Sequence, residues 1–226
     1  MYELYYKMSK FVGKNWNLTL PIGLKLAPKV IEFPEIDAYK FEFFEIEDDF
    51  ILMGADVHGV TTKNSKYPRC EFRELTDGKK AAFETKGKHT LDYSFAIVEL
   101  PGLKPEICIG QLHDSNNDVF EVRCHGSELI VQANKKDYKL GKLNLDEKIS
   151  VKVEITDLKV SIETSKGDKC GFTIKPNKGL YFKVGCYVQA NPQNGTGRGF
   201  IKLYNAKTTH SLKLIHDTSH QKSCSK

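Results

Sequence analysis

The chain has 226 residues, of which 40% are hydrophobic and 28% charged, and its formal net charge is +5 at pH 7. These fractions exclude a disordered or fibrous chain and are typical of a globular protein. The small positive excess fits either a solvated lysine-rich surface or attraction to a polyanion. Nucleic acid is not the expected partner, because the chain has no dense Lys/Arg block, no zinc-finger spacing and no RNP-like aromatic motif.

The first sixteen residues contain no continuous apolar region and no small-residue cleavage site. No run elsewhere approaches the length of a membrane span, so we expect no membrane association. The location is left open between a cytoplasm, a secreted form whose signal has been removed, and another export route.

Short alternating or β-branched runs recur along the chain with turn signals between them, and helical periodicity is nearly absent. This pattern predicts an all-β protein, a jelly-roll sandwich of two antiparallel sheets. We expect one domain over residues 1–226, with the β-sandwich at about 11–210, a flexible tail at about 212–226 and one short helical piece near 36–39. The predicted strands are 40–46, 71–75, 81–85, 91–98, 106–113, 119–124, 128–133, 148–156, 159–163, 171–175, 180–189 and 199–207.

None of the six cysteines forms a C-x-x-C pair, so we expect no zinc site or other metal site. Cys70, Cys108 and Cys186 fall on predicted apolar faces, where cysteine behaves as a small hydrophobe. We therefore expect mostly free, buried thiols, with a Cys170–Cys186 bridge as the exception worth testing.

The strand at 180–189 has one apolar face and one polar face, because side chains alternate along a strand. The apolar face consists of Phe182, Val184, Cys186 and Val188. The polar face consists of Tyr181, Lys183, Tyr187 and Gln189. Fold stability does not require two phenols, an ammonium and an amide in a row, so this face is a candidate binding groove.

Two further strands have similar patterns. In the segment 69–75, Arg69, Glu71 and Arg73 share one face, with Cys70, Phe72 and Leu75 around them. In the segment 106–113, Ile109, Gln111 and His113 share one face, against Cys108 and Leu112. If the three strands are neighbours, their polar face would suit an anion with hydroxyl groups and would carry two groups able to move protons.

Five segments carry a resemblance to a known family: NWNLTLP at 15–21, RCEFREL at 69–75, QLH at 111–113, YFKVGCYVQ at 181–189 and IKLYNAKTTH at 201–210. In these segments the chain resembles the alginate lyases of polysaccharide lyase family 7, in family order and over about residues 11–210. The resemblance implies a jelly roll whose concave sheet forms the substrate groove. It also implies cleavage of an acidic polyuronate, alginate first of all, by β-elimination that leaves unsaturated ends. We expect endo-cleavage, because no segment resembles an insertion large enough to close one end of the groove.

Carried over residue by residue, the resemblance implies a catalytic set of Arg69, Gln111, His113 and Tyr187. It implies a substrate-binding set of Arg73, Glu71, Arg123, Tyr181, Lys183 and Gln189. No metal or organic cofactor is expected. The chain departs from the family at Leu112, where Ile or Val is usual and is associated with monomer preference, and at Cys70, where a hydroxyl residue is usual.

β-Elimination removes the proton at C-5 of a uronate and expels the glycosidic oxygen at C-4. The adjacent carboxylate must first be neutralised, which an arginine fork and an amide donor can do. His113 suits the base near neutral pH. Tyr187 is suited to the role of the acid that protonates the leaving oxygen. It could also act as the base when the proton and the leaving oxygen lie on one side, provided that Arg69 and Lys183 depress its pKa.

Other readings of the same residues remain. A lone tyrosine or histidine on a strand is often a packing or surface residue, and Arg69 and Arg73 with Glu71 and Glu74 could form a cross-strand ion-pair ladder. The alternative functions are a lyase of the same fold acting on glucuronan, a non-catalytic carbohydrate-binding jelly roll and, with least support, a nucleic-acid-binding β-protein. We expect a monomer whose partner is an anionic polysaccharide.

Overall fold

The computed structural model describes residues 13–76, 78–80 and 83–211, and two antiparallel β-sheets packed face to face form a β-jelly roll. The strands are β1 Trp16–Leu24, β2 Ala27–Ile31, β3 Phe44–Ile46, β4 Ile51–Asp56, β5 Arg69–Thr76, β6 Lys79–Lys80, β7 Lys88–Glu99, β8 Glu106–His113, β9 Asp118–His125, β10 Glu128–Ala133, β11 Lys136–Lys142, β12 Ile149–Thr156, β13 Lys159–Thr164, β14 Lys169–Thr173, β15 Tyr181–Val188 and β16 Arg198–Ser211. The larger sheet has the order β11-β10-β9-β8-β15-β5-β1-β2, with β6 beside β5, and the smaller sheet has the order β14-β13-β12-β7-β16-β4-β3. The all-β prediction is confirmed.

The hydrophobic core lies between the two sheets and follows from period-two patterning. On β12, Ile149, Val151, Val153 and Ile155 are buried, while the residues between them are half-buried or exposed. On β15, the predicted apolar face of Phe182, Val184, Cys186 and Val188 belongs to this core. Each large apolar side chain buried in this way contributes about 1.5–3 kcal/mol, which holds the two sheets together.

Helical structure is sparse, as predicted. The α-helix α1 covers Glu35–Ala38 and overlaps the expected position at 36–39, and a 3-10 turn covers Gly13–Asn15 at the start of the described residues. Among the described residues, no helix is both long and apolar enough to cross a membrane.

The strand predictions were incomplete where glycine or proline interrupts the pattern. The predicted strands did not include β1, β2, β4 and β11, which contain Pro21, Pro28, Gly54 and Gly141 respectively, and they also missed the two-residue strand β6. Proline is tolerated in β2 because that strand lies at a sheet edge. Glycine is needed at position 54 because a Cβ there would lie 2.3 Å from the ring of Phe200.

Two predicted strands were only partly right. The segment 40–46 forms a strand only from Phe44 onward, after an isolated bridge between Phe41 and Phe44. In the segment 81–85, Phe83 makes an isolated bridge to Leu180, and residues 81 and 82 lie outside the described residues. The expected tail at about 212–226 also lies outside them.

A β-bulge in β8 corrects the predicted facing of two residues, Ile109 and Cys108. The pairing of β8 with β9 shifts register between Cys108 and Gly110, so Ile109 joins the core instead of sharing a face with Gln111. A Cβ at Gly110 would lie 2.7 Å from the phenol oxygen of Tyr93, and only glycine permits this approach. Because the bulge inserts one extra residue, the alternation of faces shifts by one position after it, and Leu112 faces the core.

The five cysteines in the described part of the chain are free thiols, as expected, and only Cys170 is not fully buried. The suggested Cys170–Cys186 bridge is wrong, because Cys170 lies on edge strand β14 of one sheet and Cys186 lies on central strand β15 of the other. Cys108 is buried but lies outside the core cluster, and burial together with Glu121 and Glu71 raises the pKa of its thiol. Cys224 lies outside the described residues.

Candidate active site

Strands β5, β15 and β8 are neighbours in the larger sheet, and their register brings the predicted polar residues together. Tyr187 pairs with Arg69, and Lys183 pairs with Arg73 on one side and with Gln111 on the other. Farther along the same pair of strands, Tyr181 lies opposite His113. The prediction that these three strands lie side by side is confirmed.

A cavity of about 360 Å³ opens on the outer face of the larger sheet above these strands. Seven of the predicted site residues line it: Arg69, Arg73, Gln111, His113, Tyr181, Lys183 and Tyr187. The guanidinium groups of Arg69 and Arg73 each lie 3.7 Å from the ring centroid of a neighbouring phenol, Tyr187 and Tyr181 respectively. Stacking of this kind holds the planar cations in place while keeping their charge available to a ligand.

Glu71 organises the donors from beneath the cavity. Its side chain is 0% exposed and lies 3.1 Å from Nη1 of Arg69 and 2.6 Å from Nζ of Lys183. Gln111 Nε2 also donates a hydrogen bond to it. Burial raises the pKa of Glu71, but the charges of Lys183 and Arg69 and these hydrogen bonds outweigh burial, so the pKa lies below 4.5.

The charge balance of this cluster leaves a place for an anion. One buried carboxylate faces two cations, and burial lowers the pKa of Lys183, with Arg69 acting in the same direction and Glu71 opposing. Among the described residues, Arg73 has no carboxylate within ion-pair distance. A ligand carboxylate beside Arg69 and Arg73 would therefore meet more positive than negative charge, because Glu121, a buried carboxylate that also lines the cavity, is paired with another arginine.

Tyr187 carries a neutral phenol at rest. Its oxygen lies 2.9 Å from Oγ of Ser65, and burial raises its pKa above 10.0 although Arg69 and Ser65 act to lower it. The expectation that Arg69 and Lys183 depress this pKa was wrong, because the cost of burying a phenolate is larger than their attraction. Tyr187 is thus suited to donate a proton, not to begin as a base.

His113 is held in one tautomer. Its Nδ1 lies 2.5 Å from the carbonyl oxygen of Asp114 and 3.0 Å from the phenol oxygen of Tyr181. Because a carbonyl only accepts, Nδ1 carries the proton and Nε2 carries the lone pair. Burial lowers the pKa of His113 below 6.5, against the opposing bond to Asp114, so the ring is neutral and basic near neutral pH.

Three predicted groove residues do not line the cavity. Glu71 lies below it, where it contacts the donors and not a ligand. Arg123 donates from Nε to Glu121 over 2.7 Å and also approaches Glu106, so its guanidinium is paired with carboxylates and does not itself line the cavity. Gln189 is buried at the end of β15 and donates to the backbone oxygen of Tyr187.

The other residues that line the cavity were not predicted from the sequence. They comprise Thr19 on β1, Glu121 on β9, Thr62, Asn64 and Ser65 in one loop, and Ser115, Asn116, Asn117 and Asp118 after β8. The run of Ser, Asn and Asp directly after QLH could have signalled a polar loop beside the site, but no local pattern distinguishes Thr19 or Ser65. Burial raises the pKa of Glu121, against the opposing charge of Arg123. Among the residues described, no three His, Cys, Asp or Glu side chains are grouped to hold a metal ion.

A β-jelly roll that carries cationic, imidazole and phenol side chains in one cavity of its larger sheet is the arrangement expected of a polysaccharide lyase. The alginate lyase family model matches residues 11–210. The chain therefore belongs to the alginate lyase family and is a polysaccharide lyase, as its motifs predicted.

Solved structures agree with this assignment. The alginate lyase AlgAT5 of polysaccharide lyase family 7 is 34% identical over 88% of this chain and 95% of its own, with a TM-score of 0.81. An alginate lyase from Corynebacterium sp. is 30% identical over 91% of this chain and 98% of its own, with a TM-score of 0.85. The alginate lyase PA1167 from Pseudomonas aeruginosa, at 22% identity, 88% and 99% coverage and a TM-score of 0.77, shares the fold. A search of curated protein sequences gave no match.

Proposed function

We propose that this lyase cleaves alginate at the cavity above β5, β15 and β8, with Arg69, Gln111, His113 and Tyr187 as its catalytic residues. The observation that carries the proposal is the grouping of two arginine guanidinium groups with a neutral imidazole and a neutral phenol in one cavity. A structural neighbour, the family 7 lyase A1-II′, was crystallised with the product GGG and with the substrate GGMG, which supports an oligosaccharide as the occupant of such a groove.

The first task of the site is to neutralise the uronate carboxylate. Arg69 presents a planar guanidinium that can donate two parallel hydrogen bonds, and Gln111 can add an amide donor. Both are held from below by Glu71, so little reorganisation is needed as charge develops. Donors aimed at developing charge typically contribute about 3 kcal/mol each to catalysis. Arg73 and Lys183 would bind the same or the neighbouring carboxylate.

The second task is proton transfer. His113 Nε2 takes the C-5 proton, the C-5–H electron pair forms the C-4=C-5 double bond, and the C-4–O bond breaks with its electrons going to oxygen. Tyr187 gives its proton to that oxygen. His113 then releases its proton to water and Tyr187 regains one from water, so the net change is transfer of a proton from C-5 to the glycosidic oxygen.

The assignment of base and acid to different residues favours one monomer. The C-5 hydrogen and the C-4 oxygen lie on opposite sides in a guluronate residue and on the same side in a mannuronate residue. Separate groups on two neighbouring strands suit the opposite-side arrangement, whereas a single phenol acting as both base and acid would have to ionise first. We therefore expect polyguluronate to be cleaved faster than polymannuronate.

The test is ultraviolet absorbance during incubation with polyguluronate, polymannuronate and glucuronan separately, because the unsaturated uronate absorbs and the intact polymer does not. An increase with an alginate block would support the proposal, and an increase with glucuronan alone would instead support the glucuronan lyase. Binding to all three without any increase would contradict a lyase at this cavity and favour a carbohydrate-binding protein. Polymannuronate cleaved faster than polyguluronate would contradict the assignment of His113 as the sole base.

We also propose that the enzyme is a monomer and that it cleaves bonds within the alginate chain. An endo-acting enzyme lowers the viscosity of alginate well before short oligosaccharides accumulate, and viscosity measured alongside product size tests this. Sedimentation equilibrium at the concentrations used for the assay tests the monomer.

The pH profile of kcat/KM follows from the two shifted pKa values. His113 must be neutral, and because its pKa lies below 6.5, activity should fall only when the pH drops below that value. Tyr187 must be protonated, and because its pKa lies above 10.0, activity should persist up to about that pH. An acid limb centred above pH 6.5 would contradict the role of His113. The same profile for His125→Asn, at an exposed position outside the cavity, provides the control.

A further inference from the structure

Ser65 is the hydrogen-bond partner of the Tyr187 phenol among the described residues. Its Oγ lies 2.9 Å from the phenol oxygen, 3.0 Å from the carbonyl oxygen of Tyr67 and 3.1 Å from the backbone nitrogen of Tyr67. The guanidinium of Arg69 lies over the face of the Tyr187 ring, so it contributes charge to the phenol without taking the place of Ser65.

The Ser65 hydroxyl can form a hydrogen bond with the Tyr187 oxygen whether the phenol is neutral or ionised. The Tyr67 N–H can only donate and the Tyr67 carbonyl can only accept, which leaves one Ser65 hydrogen and one lone pair to be shared. While Tyr187 is neutral, Ser65 donates to the Tyr67 carbonyl and can accept the phenol hydrogen. After Tyr187 has lost its proton, rotation of the Ser65 hydroxyl alone turns its hydrogen toward the phenolate. No heavy atom needs to move.

The loop that carries Ser65 is anchored on both sides. Lys104 Nζ donates to the phenol oxygen of Tyr67 over 3.4 Å, and Asn191 Nδ2 donates to the carbonyl oxygen of Lys66 over 3.3 Å. The ring of Tyr67 lies 6.5 Å, centroid to centroid, from that of Tyr187. The hydroxyl is therefore held in place before substrate binds, which is what stabilisation of a developing charge requires.

We propose that Ser65 is a positioning residue for Tyr187: it orients the neutral phenol and then donates the hydrogen bond that stabilises the phenolate formed when the proton passes to the glycosidic oxygen. The inference rests on the proposed role of Tyr187 as the acid. It predicts that Ser65 affects the rate of the chemical step more than substrate binding, because the phenolate exists only during turnover.

The test compares Ser65→Ala, Ser65→Thr and Tyr187→Phe by steady-state kinetics on the preferred polymer, with Ser161→Ala as a control at an exposed position on β13. We expect Ser65→Ala to lower kcat by about 10- to 100-fold, the range for losing one hydrogen bond to a charged group, with KM changed by less than about threefold. Ser65→Thr, which keeps the hydroxyl, should recover most of the rate. In the Tyr187→Phe background, Ser65→Ala should produce no further loss of the residual rate.

Several outcomes would overturn the role of Ser65: a wild-type kcat in Ser65→Ala, a loss confined to KM, or an equal loss in the wild-type and Tyr187→Phe backgrounds. Circular dichroism and the melting temperature of each variant distinguish a folding defect from a catalytic one. Nearly full activity of Tyr187→Phe would instead overturn the role of Tyr187 in the proposed function, so the two failures are distinguishable.

Discussion

Replacing Tyr187 with Phe is expected to reduce kcat on alginate by about 10³- to 10⁴-fold and to leave substrate binding within a few-fold of wild type. The change removes the phenol hydroxyl, which is the proton donor to the leaving oxygen, and general acid catalysis typically contributes 10²- to 10⁴-fold. The ring that stacks on Arg69 remains, so the carboxylate site should persist. The absorbance assay measures turnover, and calorimetric titration of the inactive variant measures binding.

Tyr204→Phe is the matched control, because Tyr204 lies on β16 of the opposite sheet and its ring contacts Phe50 and Lys148. Its kcat should equal that of wild type. If Tyr187→Phe kept more than about a tenth of the wild-type rate, another group would have to protonate the leaving oxygen. If Tyr187→Phe lost binding and turnover together, the phenol would be a binding group. That result would support the alternative of a non-catalytic carbohydrate-binding protein.

Replacing Glu71 with Gln is expected to impair both stability and turnover. It leaves Arg69 and Lys183 buried beside each other without their shared carboxylate, and breaking a buried ion pair typically costs about 3–5 kcal/mol in the free energy of unfolding. The three donors lose the acceptor that orients them, so we expect kcat/KM to fall at least about 100-fold. Urea denaturation and the absorbance assay measure the two effects.

A second substitution separates the two effects of losing Glu71. Adding Lys183→Met to Glu71→Gln removes one of the two uncompensated cations, so part of the lost stability should return while the activity should not. Glu163→Gln is the surface control, because its exposed partner Lys169 makes the pair worth at most about 1 kcal/mol. Equal destabilisation by Glu71→Gln and Glu163→Gln would contradict the buried-pair argument.

The site strand β15 could be predicted closely because its apolar and polar residues alternate without interruption and its pairing with β5 is regular. The direction in which Ile109 faces on β8 could not be predicted, because the bulge at Gly110 depends on the close approach of Tyr93, a residue distant in the sequence. Strands β2 and β4 were missed for a related reason. Their proline or glycine is acceptable only at a sheet edge or against a particular ring of another strand.

Motifs and period-two patterning are local properties of a chain, so the family, the all-β fold and most of the side chains that β5, β8 and β15 present to the cavity could be predicted from the residues alone. Which charges are buried and which groups are neutral depends on how the strands and loops assemble, and no local pattern contains that information. Glu71 is a buried acceptor and not a groove residue because strands from three separate parts of the chain close over it. Tyr187 remains protonated because burial raises its pKa more than Arg69 and Ser65 lower it, and burial is a property of the assembled sheet and its loops.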